Sequence, residues 1–198
     1  MKVDIVTRAS RGIDWLDRCH ESLQAIELNV TWHIVATPNV VHDAIARAYA
    51  RTEVHEAPNH SAAHDALCGV NHYLDTIPDR GQWFFILDDD NLMHPNFNKL
   101  PTWVEGPEVV LFSQHVHPQW RRIIDPNKLG PSHVDIAQFV AKRSVVDDLR
   151  FWNIYRGDSY FIQELVFRSQ LKAKESVTCC LEVMSYYNAQ RHPFTERP

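Results

Sequence analysis

No apolar run in this 198-residue chain approaches the roughly 20 residues that a membrane-spanning helix needs, so no segment reads as a span. An excess of positive charge is also missing. The formal charge of -5 at pH 7 provides no general field for nucleic acid or an anionic membrane, though it leaves room for a local basic patch. Cysteine is sparse. Cys19, Cys68, Cys179 and Cys180 show no Cys-x-x-Cys spacing, which points to reduced thiols in a cytosolic protein. The adjacent Cys179 and Cys180 read as strand packing. The 12 histidines include no His-x-x-x-His on a clear helix with a neighbouring Glu, which argues against a zinc hydrolase. Repeats, low-complexity segments and inter-domain linkers are all absent. The opening Met1-Lys2-Val3-Asp4-Ile5-Val6 carries an acid too early for a signal peptide and reads as a first strand. With 44% apolar and 23% charged residues, the chain has the composition of an ordinary soluble globule, and its length suits one domain.

The most informative feature present is Trp83-Phe84-Phe85-Ile86-Leu87 running directly into Asp88-Asp89-Asp90-Asn91. The apolar run lacks alternation and is rich in aromatic and branched residues, so it reads as a strand buried on both faces. The acids then stand at its C-terminal end, the edge where ligands bind in open α/β sheets. Three consecutive carboxylates repel one another, and a hard divalent cation with oxygen ligands relieves that repulsion. Such a cation would in turn hold phosphates. An EF-hand loop is excluded, because counting from Asp88 puts Met93 at the sixth position, where that loop needs Gly.

Around this strand the first half alternates strand and helix. Strands are expected at 3–7, 32–36 and 53–56, with helices at 15–25, 40–51 and 61–74 and Ser61 as an N-cap. That alternation argues for a mostly parallel sheet. The second half is less regular. It has strands at 109–113 and 177–187, a strand-like stretch at 136–141, a helix at 159–170, and a turn-rich irregular run over 115–133.

This arrangement resembles the Asp-x-Asp signature and element order of GT-A glycosyltransferases of the family 2 type. The resemblance implies a single domain over residues 1–198, α/β in class, with a Rossmann-like, mostly parallel central sheet flanked by helices. Residues 1–100 would form the nucleotide-sugar-binding half and 101–198 the irregular acceptor side. It implies a Mn²⁺ or Mg²⁺ ion on Asp90 and Asp88, and contacts from Thr7 and Arg8 to the nucleotide at the end of the first strand. Asn59, His64, Asp65 and Asp89 would lie along the nucleotide-sugar, with Arg191 on its diphosphate. His192 would be a late metal ligand, with His115 and His117 as competitors. The sequence departs from the family's pattern at two points. Ala36-Thr37-Pro38 carries no acid where a base or ribose contact is common, and His64-Asp65 replaces an Arg-Asn pair.

In inverting members an acid opening a later helix is the general base, and Asp158 of Arg156-Gly157-Asp158-Ser159 matches by position. The alternative for Asp158 is a simple helix cap. Asp135 and Gln138 are candidates for the sugar or acceptor pocket. Trp120 and Arg121 are candidates for stacking on a sugar or nucleobase. The resemblance therefore implies a metal-dependent transfer from a nucleotide-diphosphate sugar, with UDP the first candidate, to an acceptor hydroxyl with inversion. The acceptor would be a glycan, a lipid-linked sugar or a nucleic acid, in the cytoplasm of a bacterium or a phage-infected cell. Two rivals remain. A sugar nucleotidylyltransferase should have a Gly-rich phosphate loop, and Arg8-Ala9-Ser10-Arg11-Gly12 has one Gly. The other is a non-catalytic nucleotide-sugar-binding module.

Overall fold

A computed structural model describes residues 1–57, 65–77, 81–117, 120–125, 134–151 and 157–187, with 65–68, 117, 157 and 174 as backbone alone. The strands are β1 (Lys2–Ala9), β2 (Asn29–Ala36), β3 (Thr52–Glu56), β4 (Trp83–Ile86), β5 (Leu92–Met93), β6 (Val109–His117), β7 (Trp120–Arg122), β8 (Phe139–Lys142) and β9 (Val177–Tyr186). The helices are α1 (Ile13–Gln24), α2 (Pro38–Arg47), α3 (Asp65–Thr76), α4 (Arg143–Val146) and α5 (Gly157–Lys172). Among the described residues the strands form one sheet in the order β3-β2-β1-β4-β8-β6-β9-β5, with β7 paired to β6.

The first half is the parallel sheet expected: β2 and β4 flank β1, and β3 lies beyond β2. Then the direction changes. β8 is antiparallel to both β4 and β6, and β9 runs parallel to β6. This arithmetic of directions fixes the site. The C-terminal ends of β1, β4 and β6 and the N-terminal end of β8 all face one edge of the sheet.

Both faces of the sheet are covered. Val3, Ile5, Trp32, Ile34, Phe85 and Phe112 pack on the α1 and α2 side, with Leu16, Cys19, Val41 and Ala44. Val6, Val35, Phe84, Ile86 and Phe139 pack on the other side, with Tyr73 of α3 and Phe161 and Leu165 of α5. β4 sends Phe84 and Phe85 to opposite faces, and both are fully buried. Each such ring contributes roughly 1.5–3 kcal/mol by leaving water.

Local chemistry ends the helices near where the sequence suggests. Gly12 stands at the N-cap of α1 with φ +122°, a conformation that side-chain-bearing residues avoid. α2 opens with Pro38 at its first turn, where the missing N–H costs nothing. It closes at Ala48, which is left-handed with φ +49°, so it is shorter than the stretch to Arg51 expected. The stretch expected as a strand over 136–141 divides. Ile136–Gln138 is a 3₁₀ turn and only Phe139–Lys142 is strand. Asp135 and Gln138 cap that turn reciprocally, which competes successfully with strand pairing. The irregular run expected over 115–133 contains β7, a short antiparallel return onto the end of β6. Ser61 lies outside the described residues.

Candidate active site

Arg8, Asp88, Asp135 and Asp158 converge at the shared sheet edge. β1 delivers Arg8, the turn after β4 delivers Asp88, the cap before β8 delivers Asp135, and the first turn of α5 delivers Asp158. Arg8 grips Asp88 with two parallel hydrogen bonds, Nε to Oδ1 and Nη2 to Oδ2, both at 2.5 Å. Its third nitrogen, Nη1, reaches Asp158 Oδ1 at 3.4 Å. Such a fork is the strongest form of Arg–carboxylate pairing. The guanidinium is held well above its ordinary pKa: burial opposes its charge, and Asp88 and then Asp158 outweigh that.

The aspartate turn is anchored from several sides. The Leu87 amide donates to Val6 O at 3.0 Å, and the Asn91 amide closes on Asp88 O at 2.9 Å. Beneath the turn, the Cys19 thiol donates to Asn91 O at 3.2 Å. Asp89 is fully buried and accepts the backbone amides of Ser10 at 2.9 Å and Arg11 at 3.1 Å. It also pairs with the Arg11 guanidinium, whose other nitrogen lies 3.1 Å from Asp90 Oδ2. The middle acid of the triplet therefore clamps the loop after β1. Its placement differs from the open nucleotide contact expected of it, because the two loop amides take Oδ2 and the Arg11 guanidinium takes Oδ1. Burial raises its pKa, and the Ser10 amide and Arg11 oppose that rise.

Asp158 is one-third exposed. Its pKa is pushed up to about 6, chiefly by burial and further by Asp88 and Asp135, against the opposing pull of Arg8. A helix N-terminus favours the ionised form of an acid, yet here burial and neighbouring acids win. Asp135 is also raised by burial, while Arg122 Nη1 holds it at 3.3 Å.

The remaining expected residues fall into three groups. Thr7 is buried and its hydroxyl accepts the Trp32 indole N–H at 2.8 Å, so it supports the core rather than the pocket. Gln138 is fully buried. It accepts the Asp135 amide at 2.8 Å and donates to Phe112 O at 3.1 Å, which makes it the strut under Asp135 rather than a pocket lining. Trp120 is 70% exposed and Arg121 is exposed beside it, on the β7 return at the same edge. His115 stacks edge-on to Tyr186. The side chains of Asp65 and His117, and all of Asn59, His64, Arg191 and His192, lie outside the described residues. Arg11 and Arg122 join the site beside expected residues: Arg11 lies three residues beyond Arg8 in the loop after β1, and Arg122 directly follows Trp120-Arg121.

Asp88, Asp89, Asp90, Asp135 and Asp158 outnumber Arg8, Arg11, Arg121 and Arg122 at this edge. The local excess is negative, and the donors on Asp88 and Asp90 are hard carboxylate oxygens of the kind Mg²⁺ or Mn²⁺ takes. A cation there would take the place that Arg8 holds on Asp88 and Arg11 on Asp90.

No family model and no curated protein matches the sequence. Solved structures do match in shape. TarS residues 1–349 from S. aureus superpose with a TM-score of 0.71 at 12% identity, over 94% of this chain and 60% of that one. Its complex with UDP-GlcNAc gives 0.64 at 11%, over 94% and 58%. The glucosyl-3-phosphoglycerate synthase of Mycobacterium tuberculosis, with Mn²⁺, UDP and phosphoglyceric acid, gives 0.59 at 13%, over 100% and 72%. A Bacillus anthracis protein assigned as a glucose-1-phosphate thymidylyltransferase gives 0.54 at 8%, over 92% and 87%. The chain thus spans about 60% of the TarS fragment it resembles. At these identities the likeness is one of architecture: the chain has a GT-A-like glycosyltransferase fold, an α/β sheet flanked by helices.

Proposed function

We propose that this chain is a metal-dependent glycosyltransferase. It would move a sugar from a nucleotide-diphosphate sugar to an acceptor hydroxyl with inversion. The observation that carries the reading is Asp158, a carboxyl with a pKa near 6 that faces the Arg8–Asp88 pair at the ligand-binding edge of the sheet. A base serves best when its pKa lies near the working pH. Asp158 takes the acceptor proton as the acceptor oxygen attacks the anomeric carbon. The bond from that carbon to the diphosphate oxygen breaks, and the nucleoside diphosphate leaves.

Asp88 and Asp90 would hold the divalent cation, with His192 as a further ligand. The ion would supply charge neutralisation at the leaving diphosphate. Arg8 holds Asp88 and Asp158 in register and is a ready diphosphate partner, as is Arg191. Asn59, His64 and Asp65 are assigned to the donor, and Trp120 and Arg121 to the acceptor, which is a glycan, a lipid-linked sugar or a nucleic acid. Complexes of TarS with UDP and UDP-GlcNAc, and of the mycobacterial synthase with UDP, support a uridine donor.

The thymidylyltransferase likeness keeps a second reading in play, the transfer of a nucleotidyl group to a sugar phosphate. That chemistry uses loop amides after the first strand to cradle phosphates. Here the Ser10 and Arg11 amides are already bound to Asp89, which favours sugar transfer.

Thermal unfolding against a panel of UDP-, GDP- and dTDP-sugars, each with Mn²⁺ and with EDTA, tests the proposal. A donor at about 100 times its Kd adds roughly 2.7 kcal/mol, a shift of roughly 5–10 °C for a chain this size. A shift with one donor that EDTA abolishes supports the reading. No shift with any donor overturns it, and pyrophosphate release from a nucleoside triphosphate and a sugar phosphate would establish the rival.

A further inference from the structure

A second polar constellation lies at one end of the sheet order, where β3 is the edge strand. His33 in β2 pairs directly with Glu53 in β3, and Val35 pairs with His55. Glu53 and His55 are two apart on a strand, so their side chains share a face. His33 Nδ1 lies 3.2 Å from His55 Nε2 and 3.4 Å from Glu53 Oε2. His55 Nε2 lies 3.9 Å from the same oxygen. Ligands at about 2.0–2.1 Å around a tetrahedral ion stand about 3.3–3.4 Å from one another. Two edges of the triangle, 3.2 and 3.4 Å, have nearly that length, and the third, 3.9 Å, closes with a small turn of the exposed Glu53 carboxylate.

The atoms behind His33 match a metal site too. His33 is fully buried, and its far nitrogen, Nε2, faces Asp4 Oδ1 at 3.5 Å. Among the described residues neither atom has a closer hydrogen-bond partner. The other Asp4 oxygen is fixed by the Gly81 amide at 2.6 Å and the Tyr73 hydroxyl at 2.7 Å. Asp4 thus stands as a carboxylate that keeps the proton on Nε2 and turns the Nδ1 lone pair toward Glu53 and His55. Metal-bound histidines are held this way. One proton shared between the two rings satisfies a single pair of atoms, whereas a cation at the centre satisfies all three. Glu53 is 55% exposed, which leaves the fourth position open to water.

We propose that His33, Glu53 and His55 form a divalent metal site of the zinc class that fastens edge strand β3 to β2, with Asp4 as its positioning residue. The nitrogen-rich donor set separates it chemically from the all-oxygen cluster at Asp88–Asp90. It stands whether or not the chain transfers sugars.

Calorimetric titration of Zn²⁺ into the chelator-stripped full chain, with excess Mg²⁺ on the oxygen cluster, tests it. Wild type and Asp90→Asn should each bind one equivalent. His55→Ala should weaken binding by more than the about 10–100-fold that loss of an outer partner costs, and Glu53→Gln, a surface change that spares folding, by at least about 10-fold. Co²⁺ should give the strong visible absorption of a tetrahedral, nitrogen-ligated ion in wild type and lose it in His55→Ala. Absence of saturable Zn²⁺ binding by the wild type would overturn the site. So would binding that His55→Ala and Glu53→Gln leave unchanged, or that Asp90→Asn alone removes.

Discussion

Asp89 is buried and Asp158 is one-third exposed at the same sheet edge, and their partners give them different tasks. Asp158 meets Arg8 at 3.4 Å only and keeps its proton up to about pH 6. Asp158→Asn should lower kcat by about 10²–10⁴-fold and leave donor affinity intact, measured by transfer assay and by calorimetry with the donor. The wild-type rate should climb with pH through about 6. The same group makes a stability prediction of definite sign. Its folded pKa is raised from 3.8 to about 6, so its contribution is complete below about pH 3.8 and is lost as pH rises through 6. The urea midpoint of the wild type relative to Asp158→Asn should therefore fall between pH 4 and pH 7. The change should be on the order of 1 kcal/mol once solvent screening at a partly exposed carboxyl is allowed for. His94, held down to about 4 by burial and then by His115, has the opposite sign over this range, so the comparison must be between variants. Asp89→Ala should cost about 1–3 kcal/mol by orphaning the Ser10 and Arg11 amides, read from the same midpoint.

At the scale of elements, the parts that depend on local chemistry were legible and those that depend on a neighbour were not. β4 was readable because aromatic and branched residues in an unbroken run suit a strand covered on both sides. Gly12 and Pro38 open α1 and α2 by conformation, and the helices begin two residues before the starts at 15 and 40 that apolar spacing suggests. The segment 136–141 was misread because Asp135 and Gln138 satisfy each other's end of a 3₁₀ turn, a contact that apolar patterning does not reveal. Gln138→Leu should destabilise the chain by about 1–3 kcal/mol, since it leaves Phe112 O and the Asp135 amide unpaired. It should also reduce transfer by displacing Asp135, a coupling that a chemical-denaturation midpoint and a rate measurement read separately. β7 leaves no mark in the sequence because its three residues become a strand only by pairing with the end of β6.

At the scale of the molecule, the reversal of direction after β4 is what builds the site. Parallel β1, β4 and β6 present their C-terminal ends on the edge where antiparallel β8 presents its N-terminal end. Acids from sequence positions as distant as 88 and 158 meet Arg8 there. The core that holds this geometry is continuous through β4, so Phe85→Ala should cost about 3–5 kcal/mol and, by loosening the strand that aims Asp88, weaken donor binding as well. Thermal unfolding and donor calorimetry on the one variant would check both effects.

The sequence alone determined the α/β class, the parallel first half, the aspartate turn after its buried strand, and Asp158 at a helix start, because each follows from contiguous residues. Tertiary structure alone decided that Arg8 forks onto Asp88, that Asp89 is spent on backbone amides, and that Thr7 and Gln138 face inward. It alone brought His33 to Glu53 and His55, although they lie on different strands with a helix between. Pairings of that kind depend on which strand lies beside which and in what register, and no spacing along the chain encodes either.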